Sequence, residues 1–259
     1  MKISLLYFFL FVALIGKAQD NTPELITDRP DQTESSAVVP HKSLQIESGF
    51  VMENDDNVLS KQKSFAYNTT LLRYGLFENM ELRLGLGYFG DKEEFKNSDT
   101  VNTISGLSPI YTGFKIKITE EKEGLPEIAF LGGLVLPFTA SEEYKPSYSA
   151  ANIRFSLSHT LSERFSAGYN IGAEWDGESA IPGYFYSIVL GIGLADNLGM
   201  FIESFGLIPE EGNSEHLADA GFTFLLFPNL QFDVSGGIGI NDESIDNFIG
   251  VGVSYRIPK

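Results

Sequence analysis

The 259-residue sequence contains no cysteine, which excludes disulfides and thiolate metal sites together and fits an exported chain. Histidine is scarce: His41, His159 and His216 lie far apart, and no HExxH-type spacing joins them into a metal centre. No cofactor motif survives inspection either. Gly85-Leu-Gly87-Tyr-Phe-Gly90 matches the letters of a dinucleotide fingerprint, but Asp91-Lys-Glu-Glu follows it where an amphipathic helix would have to begin. Basic residues are also short, 18 Lys and Arg against 35 Asp and Glu, for a net charge of −17. That balance argues against a nucleic-acid partner. Helix-period patterning is missing beyond the N-terminus, and no run reaches the 18 or more apolar residues of a membrane helix.

What is present begins with a separate N-terminal unit. Lys2 supplies a positive start, Ile3 to Ile15 an apolar stretch too short to span a bilayer, and Gly16-Lys17-Ala18 a small-residue cleavage site. Residues 1–18 read as a secretory signal peptide. No cysteine follows the apolar stretch, so a lipid-modified N-terminus is excluded.

From Leu44 onward the chain alternates apolar and polar residues in long runs. Ile249, Val251, Val253, Tyr255 and Ile257 share one face, with Gly250, Gly252, Ser254 and Arg256 on the other. Met80, Leu82, Leu84, Leu86 and Tyr88 alternate with Glu81, Arg83, Gly85 and Gly87 in the same way. A tilted strand crossing a bilayer needs about 9 to 11 residues, whereas strands of soluble proteins usually stop near about 5 or 6. Twelve such runs are expected, at 44–53, 65–77, 79–89, 107–118, 126–138, 149–161, 164–175, 183–195, 198–207, 216–227, 229–240 and 247–257. Only helices and closed barrels satisfy their backbone groups in lipid, so an all-β, antiparallel transmembrane β-barrel in the outer membrane of a Gram-negative cell is predicted over residues 44–259.

Tight connections fall at Phe77-Glu78-Asn79, Leu161-Ser162-Glu163-Arg164, Ala195-Asp196-Asn197 and Phe227-Pro228-Asn229, and longer polar connections on the other side. Short turns belong to the periplasm and long loops to the exterior, which agrees with an even strand count. The outer loops so assigned hold 17 of the 35 acids, including Asp55, Asp56, Glu93, Glu94, Glu210, Glu211, Asp242 and Glu243. Such a rim either keeps the loops solvated or meets cations and lipopolysaccharide.

Charged residues on the inferred inner face are the candidate lumen lining. Glu47, Glu81, Glu174, Glu203, Asp219 and Asp233 oppose Arg73, Arg83, Lys115, Lys117, Arg154, Arg164 and Arg256, a nearly balanced set. They form either an ion-paired wall or a substrate route. Ser158 and His159 invite comparison with outer-membrane lipases, but neighbouring strand residues point to opposite faces and cannot form a dyad.

Residues 19–43 stand outside the alternation. Their polar, turn-prone stretch carries Pro30 and Pro40, which disfavour a strand ladder. Two readings stay open: a disordered periplasmic tail, or a segment folded into the lumen whose Asp28, Arg29, Asp31 and Glu34 pair with wall charges.

Thr27-Asp28-Arg29-Pro30-Asp31-Gln32-Thr33-Glu34-Ser35, with Val39-Pro40 and Ser43-Leu-Gln-Ile-Glu47-Ser-Gly49-Phe50, resembles the start of the transporter-like outer-membrane proteins grouped as the "MetA-pathway of phenol degradation" family. Leu71-Leu-Arg73-Tyr-Gly75-Leu-Phe-Glu-Asn-Met-Glu81-Leu-Arg83 and Asn229-Leu-Gln231-Phe-Asp233 extend the similarity along the mature chain. The resemblance implies a barrel passing hydrophobic or aromatic compounds, and it supplies no catalytic residue. The resulting expectation is a non-enzymatic channel or transporter for small molecules, with no cofactor and no metal. Its partners would be outer-membrane lipid, lipopolysaccharide, a small solute and the barrel-assembly machinery. The alternatives are a structural or surface-interaction barrel without transport and, third, an outer-membrane lipid hydrolase.

Overall fold

The computed structural model describes residues 23–257, so the secretory signal expected over residues 1–18 lies outside the described residues. Thirteen strands follow in chain order: β1 (Leu44–Asp56), β2 (Ser60–Phe77), β3 (Met80–Phe95), β4 (Val101–Leu107), β5 (Ile110–Thr119), β6 (Glu127–Leu136), β7 (Ala150–Thr160), β8 (Phe165–Glu174), β9 (Gly183–Ala195), β10 (Leu198–Pro209), β11 (Glu215–Phe227), β12 (Leu230–Gly239) and β13 (Asn247–Arg256). Each pairs antiparallel with its neighbour, and β1 closes on β13, so the first and last strands meet in one seam. Strands β4 and β5 are consecutive pieces of one barrel position: β4 pairs with the outer half of β3 at Tyr88–Glu94, β5 with the inner half at Met80–Gly85. The barrel therefore has twelve positions.

The break between β4 and β5 falls at Ser108-Pro109, where proline removes a ladder donor. Residues 91–106, expected to be loop, are instead largely strand: β3 runs to Phe95 and β4 begins at Val101. The connection after β1 is likewise only Asn57–Leu59 instead of a long loop. Asp91-Lys-Glu-Glu-Phe lacks the apolar half of the alternation because this hairpin rises above lipid, where neither face needs an apolar side chain. Past Leu136 the chain turns inward through two short 3-10 turns, and Ser141 takes the place of a strand partner for Leu107. The Ser141 N–H donates to the Leu107 carbonyl at 3.0 Å, and the Leu107 N–H donates to Ser141 Oγ at 2.9 Å.

Burial is inverted relative to a soluble sandwich. Leu82, Leu84, Ile188, Ile202, Phe222 and Val251 are exposed on the outer surface, while Glu47, Arg73, Glu81, Arg83 and Lys115 are buried inside. An apolar exterior band on a closed barrel is what lipid demands, and it places the chain in the outer membrane. Towards the outer ends, Phe65 stacks on Tyr67 at 5.4 Å, with Tyr88 beside it at 6.1 Å from Tyr67, aromatic rings of the kind that girdle a barrel where it leaves the lipid.

Candidate functional site: a lumen holding the N-terminal segment

Strand alternation sends Glu47 of β1, Arg73 of β2, Glu81 and Arg83 of β3 and Lys115 of β5 into the lumen side by side. Taken alone, this wall holds three cations against two carboxylates. Residues 23–43 run through the lumen and supply the difference. The Asp28 carboxylate lies 3.0 Å from Arg73 Nη1, 2.7 Å from Arg83 Nη1 and 2.9 Å from Lys115 Nζ. Glu34 takes the other arm of Arg83 at 2.8 Å. Arg73 also holds Glu47 and Glu81, each at 2.8 Å, and Arg83 holds Glu81 at 3.0 Å. Burial alone would raise the Asp28 carboxyl, but the positive charges of Arg73, Lys115 and Arg83 outweigh it and hold the group well below the ordinary aspartate range.

Arg29 crosses to the seam. Its Nη2 lies 3.0 Å from Asp233 Oδ1 of β12, and its guanidinium rests over Gly49 of β1 and Gly252 of β13, which are direct partners in register. A methyl group on either glycine would collide with the guanidinium. Gly75 similarly admits the backbone of Val39 and Pro40, where the segment enters at the periplasmic end and the Lys42 N–H donates to the Gly75 carbonyl at 2.7 Å. These three inward glycines make room for the segment.

Neutral side chains that the sequence reading passed over hold the segment's backbone. The Glu34 N–H donates to Asn170 Oδ1 at 2.8 Å, Gln45 Nε2 donates to the Ile26 carbonyl at 2.8 Å, and the Ser187 and Thr33 hydroxyls meet at 2.7 Å. All three partners sit on the inward parity of their strands, the signal that would have found them. Arg154 lies 3.7 Å from Glu174, donates to the Gln32 carbonyl at 3.3 Å and stacks over Phe185 at 3.8 Å. Arg256 donates to the carbonyls of Pro23 and Glu24. Lys117 pairs with Glu120 and Glu127 near the periplasmic end, and Arg164 lines the periplasmic cavity. Ser158 faces inward on Ser36, whereas His159 contacts Tyr169 from the next residue along the strand.

The wall formed by β10 and β11 differs. Glu203 and Asp219 face each other in register, and Asp31 of the segment lies against them. The Gln32 N–H donates to Glu203 at 2.8 Å and the Thr33 hydroxyl also donates to it, while both Asp219 oxygens are buried beside Glu203. Among the described residues no lysine or arginine pairs with Asp31, Glu203 or Asp219. Burial raises the Asp31 carboxyl well above its ordinary range, and the Glu203 charge pushes it further. Two cavities flank this point. The outer one, about 680 Å³, has Phe89, Tyr144, Phe205 and Phe248 in its walls; the periplasmic one is about 480 Å³. Arg29, Pro30 and Asp31 line both.

The closed architecture recurs in solved structures of low sequence identity. An outer membrane channel from Pseudomonas putida F1 superposes with a TM-score of 0.68 at 10% identity, covering 93% of this chain and 100% of that one. The translocator domain of the autotransporter NalP from Neisseria meningitidis gives 0.56 at 11% identity, over 83% of this chain and 89% of that one. The KdgM porin in complex with disordered oligogalacturonate gives 0.51 at 9% identity, over 82% and 98%. No curated protein matches the chain in sequence. The family profile described as "Putative MetA-pathway of phenol degradation" matches residues 27–257, from the Asp28-Arg29-Pro30 segment through the last strand. The chain is a member of that family.

Proposed function

We propose that the protein is a passive outer-membrane channel for small molecules, narrowed at rest by its own N-terminal segment, with no catalytic step. The observation that carries this reading is the pair of cavities, one open to each side, separated by Arg29, Pro30 and Asp31 and not by barrel wall. A barrel whose only task was structural would gain nothing from two voids meeting at a three-residue partition. Aromatic side chains in the outer cavity, and the family's description, support a solute with an aromatic or hydrophobic body. Lipopolysaccharide, through divalent ions at the acidic rim, and the assembly machinery are the partners this reading adds.

The test is single-channel recording in planar bilayers. The intact chain is expected to give a small conductance, and deletion of residues 21–40 a larger one, with the barrel still folded. Equal conductance of the two forms, with ready cleavage of the segment by protease in the intact barrel, would mean that it does not narrow the pore. Absence of conductance from both would favour a structural barrel, and activity on phospholipid would reveal the hydrolase alternative.

A further inference from the structure

On the outer face of β1 to β4, cross-strand partners of outward parity form three successive rows as the strands leave the lipid. The lowest joins Met52, Phe65, Gly90 and Ser105, and there Phe65 stacks on Tyr67 with Phe50 at 6.5 Å. About 7 Å further along the strands, the middle row joins Asn54, Lys63, Lys92 and Thr103. The row beyond joins Asp56, Lys61, Glu94 and Val101. Charge in that last row is compensated: Asp56 lies 3.0 Å from Lys61 and 2.5 Å from Lys96. The middle row holds no acid. Lys63 and Lys92 stand directly opposite each other, an arrangement that is repulsive by itself. Lys92 reaches along its strand to Glu94 at 2.5 Å, an exposed pair worth little in water. Lys63 meets no carboxylate within ion-pair distance among the described residues. A cavity of about 340 Å³ lies at this place, with Asn54, Lys61, Lys63 and Lys92 in its walls. Its acids are occupied elsewhere: Asp56 and Glu94 by lysines, Asp55 by the Asn57 amide, and Asp246 by the Asp56 N–H.

We propose that Lys63 and Lys92 bind a phosphate of the outer-leaflet glycolipid, whose acyl chains lie against the aromatic row beneath. The rings of Phe65 and Tyr67 mark where lipid ends, so the row one step above them meets the first charged groups of a lipid headgroup. A phosphate between the two ammonium groups turns their repulsion into two ion pairs, and the Thr103 hydroxyl stands beside Lys92 as a further donor. Two exposed lysines on a chain of net charge −17 would not hold a free anion; acyl chains anchored in the membrane supply the localisation. The contact is direct and needs no metal, unlike a divalent bridge at the acidic rim, and it is independent of the channel reading.

The experiment uses the purified full-length mature chain in detergent with EDTA present. Native mass spectrometry compares its binding of lipid A carrying both phosphates, of dephosphorylated lipid A and of inorganic phosphate. Phosphorylated lipid A is expected to bind severalfold more tightly than the dephosphorylated form, and inorganic phosphate not to bind measurably. Lys63→Gln combined with Lys92→Gln is expected to lower lipid A affinity roughly tenfold and to erase the preference for phosphate, whereas Lys61→Gln, in the compensated row, changes it by less than about twofold. Replacing both lysines by arginine is expected to keep the preference. Lys63→Gln alone breaks no ion pair and is expected to weaken binding severalfold, which decides the matter if the double variant fails to fold. A phosphate preference that survives in the glutamine variants, or binding of inorganic phosphate equal to that of lipid A, would overturn the proposal. Loss of all lipid A binding in EDTA, with recovery in calcium, would overturn it in favour of a divalent bridge at the rim, and none of these results bears on conductance.

Discussion

Two walls of one lumen treat burial of charge in opposite ways. At β1–β5, Arg73, Arg83 and Lys115 are neutralised by Glu47 and Glu81 of the wall and by Asp28 and Glu34 of the segment. At β10 and β11, Glu203 and Asp219 are equally buried and receive from the same segment two neutral donors and one further acid. The balanced wall grips the segment through ion pairs; the acidic wall holds it through neutral donors to Glu203.

The largest test of that contrast is Arg73→Ala. Removing one member of a buried network leaves Asp28, Glu47 and Glu81 short of countercharge and is expected to cost about 3 to 5 kcal/mol in urea unfolding from lipid vesicles. Arg73→Leu combined with Glu81→Leu is expected to cost less than Arg73→Ala alone; a larger loss in the double variant would refute the pairing. On the outer surface, Val251→Arg should cost about 2 to 4 kcal/mol at mid-membrane, because that side chain faces lipid whichever wall lies behind it. Gly250→Arg, one residue along and inward, should cost far less, and equal defects would show the faces to be misassigned.

Smaller in effect is Asp219→Asn. It strands no cation and keeps a polar group of the same shape beside Glu203, so it is expected to change the stability of the barrel by less than about 1 kcal/mol in the same unfolding assay. A loss comparable with that of Arg73→Ala would erase the distinction between the walls. The smallest effects are on docking of the segment, read as protection from protease. Asp28→Asn should expose it and Asp31→Asn should protect it. The pH dependence follows the same division. The depressed Asp28 carboxyl contributes docking that is present above its ordinary value of 3.8 and is lost only as pH falls below it. The raised Asp31 carboxyl contributes docking that is present when protonated and is lost as pH rises through its elevated pKa. Protection should therefore weaken as pH rises above the ordinary aspartate range, and the slope should be shallower in Asp31→Asn.

Sequence made the barrel legible because period two fixes the face of each side chain: Val251 outward and Arg73 inward follow from parity alone. It was silent on partners, since parity says nothing about which inward charge lies beside which, and Arg29 meets Asp233 across 204 positions. The strand extensions at residues 91–95 and 101–107 were hidden because strands above the lipid lose the apolar half of their pattern. Residues 23–43 were the hardest to place. They have no regular structure, and their backbone groups are satisfied by Gln45, Glu81, Asn170 and Glu203, residues scattered over four strands. The polar composition that suggests a tail suits a polar lumen equally well.

The glycine pair beneath Arg29 has a consequence for the order of assembly. Gly49 belongs to the first strand and Gly252 to the last, so the floor under the guanidinium does not exist until the two ends of the sheet have found each other. Asp28, one residue earlier, needs only the first five strands for Arg73, Arg83 and Lys115. Adjacent residues thus report different stages: a seated Asp28 marks a half-built sheet, and a seated Arg29 marks a circumference that has joined.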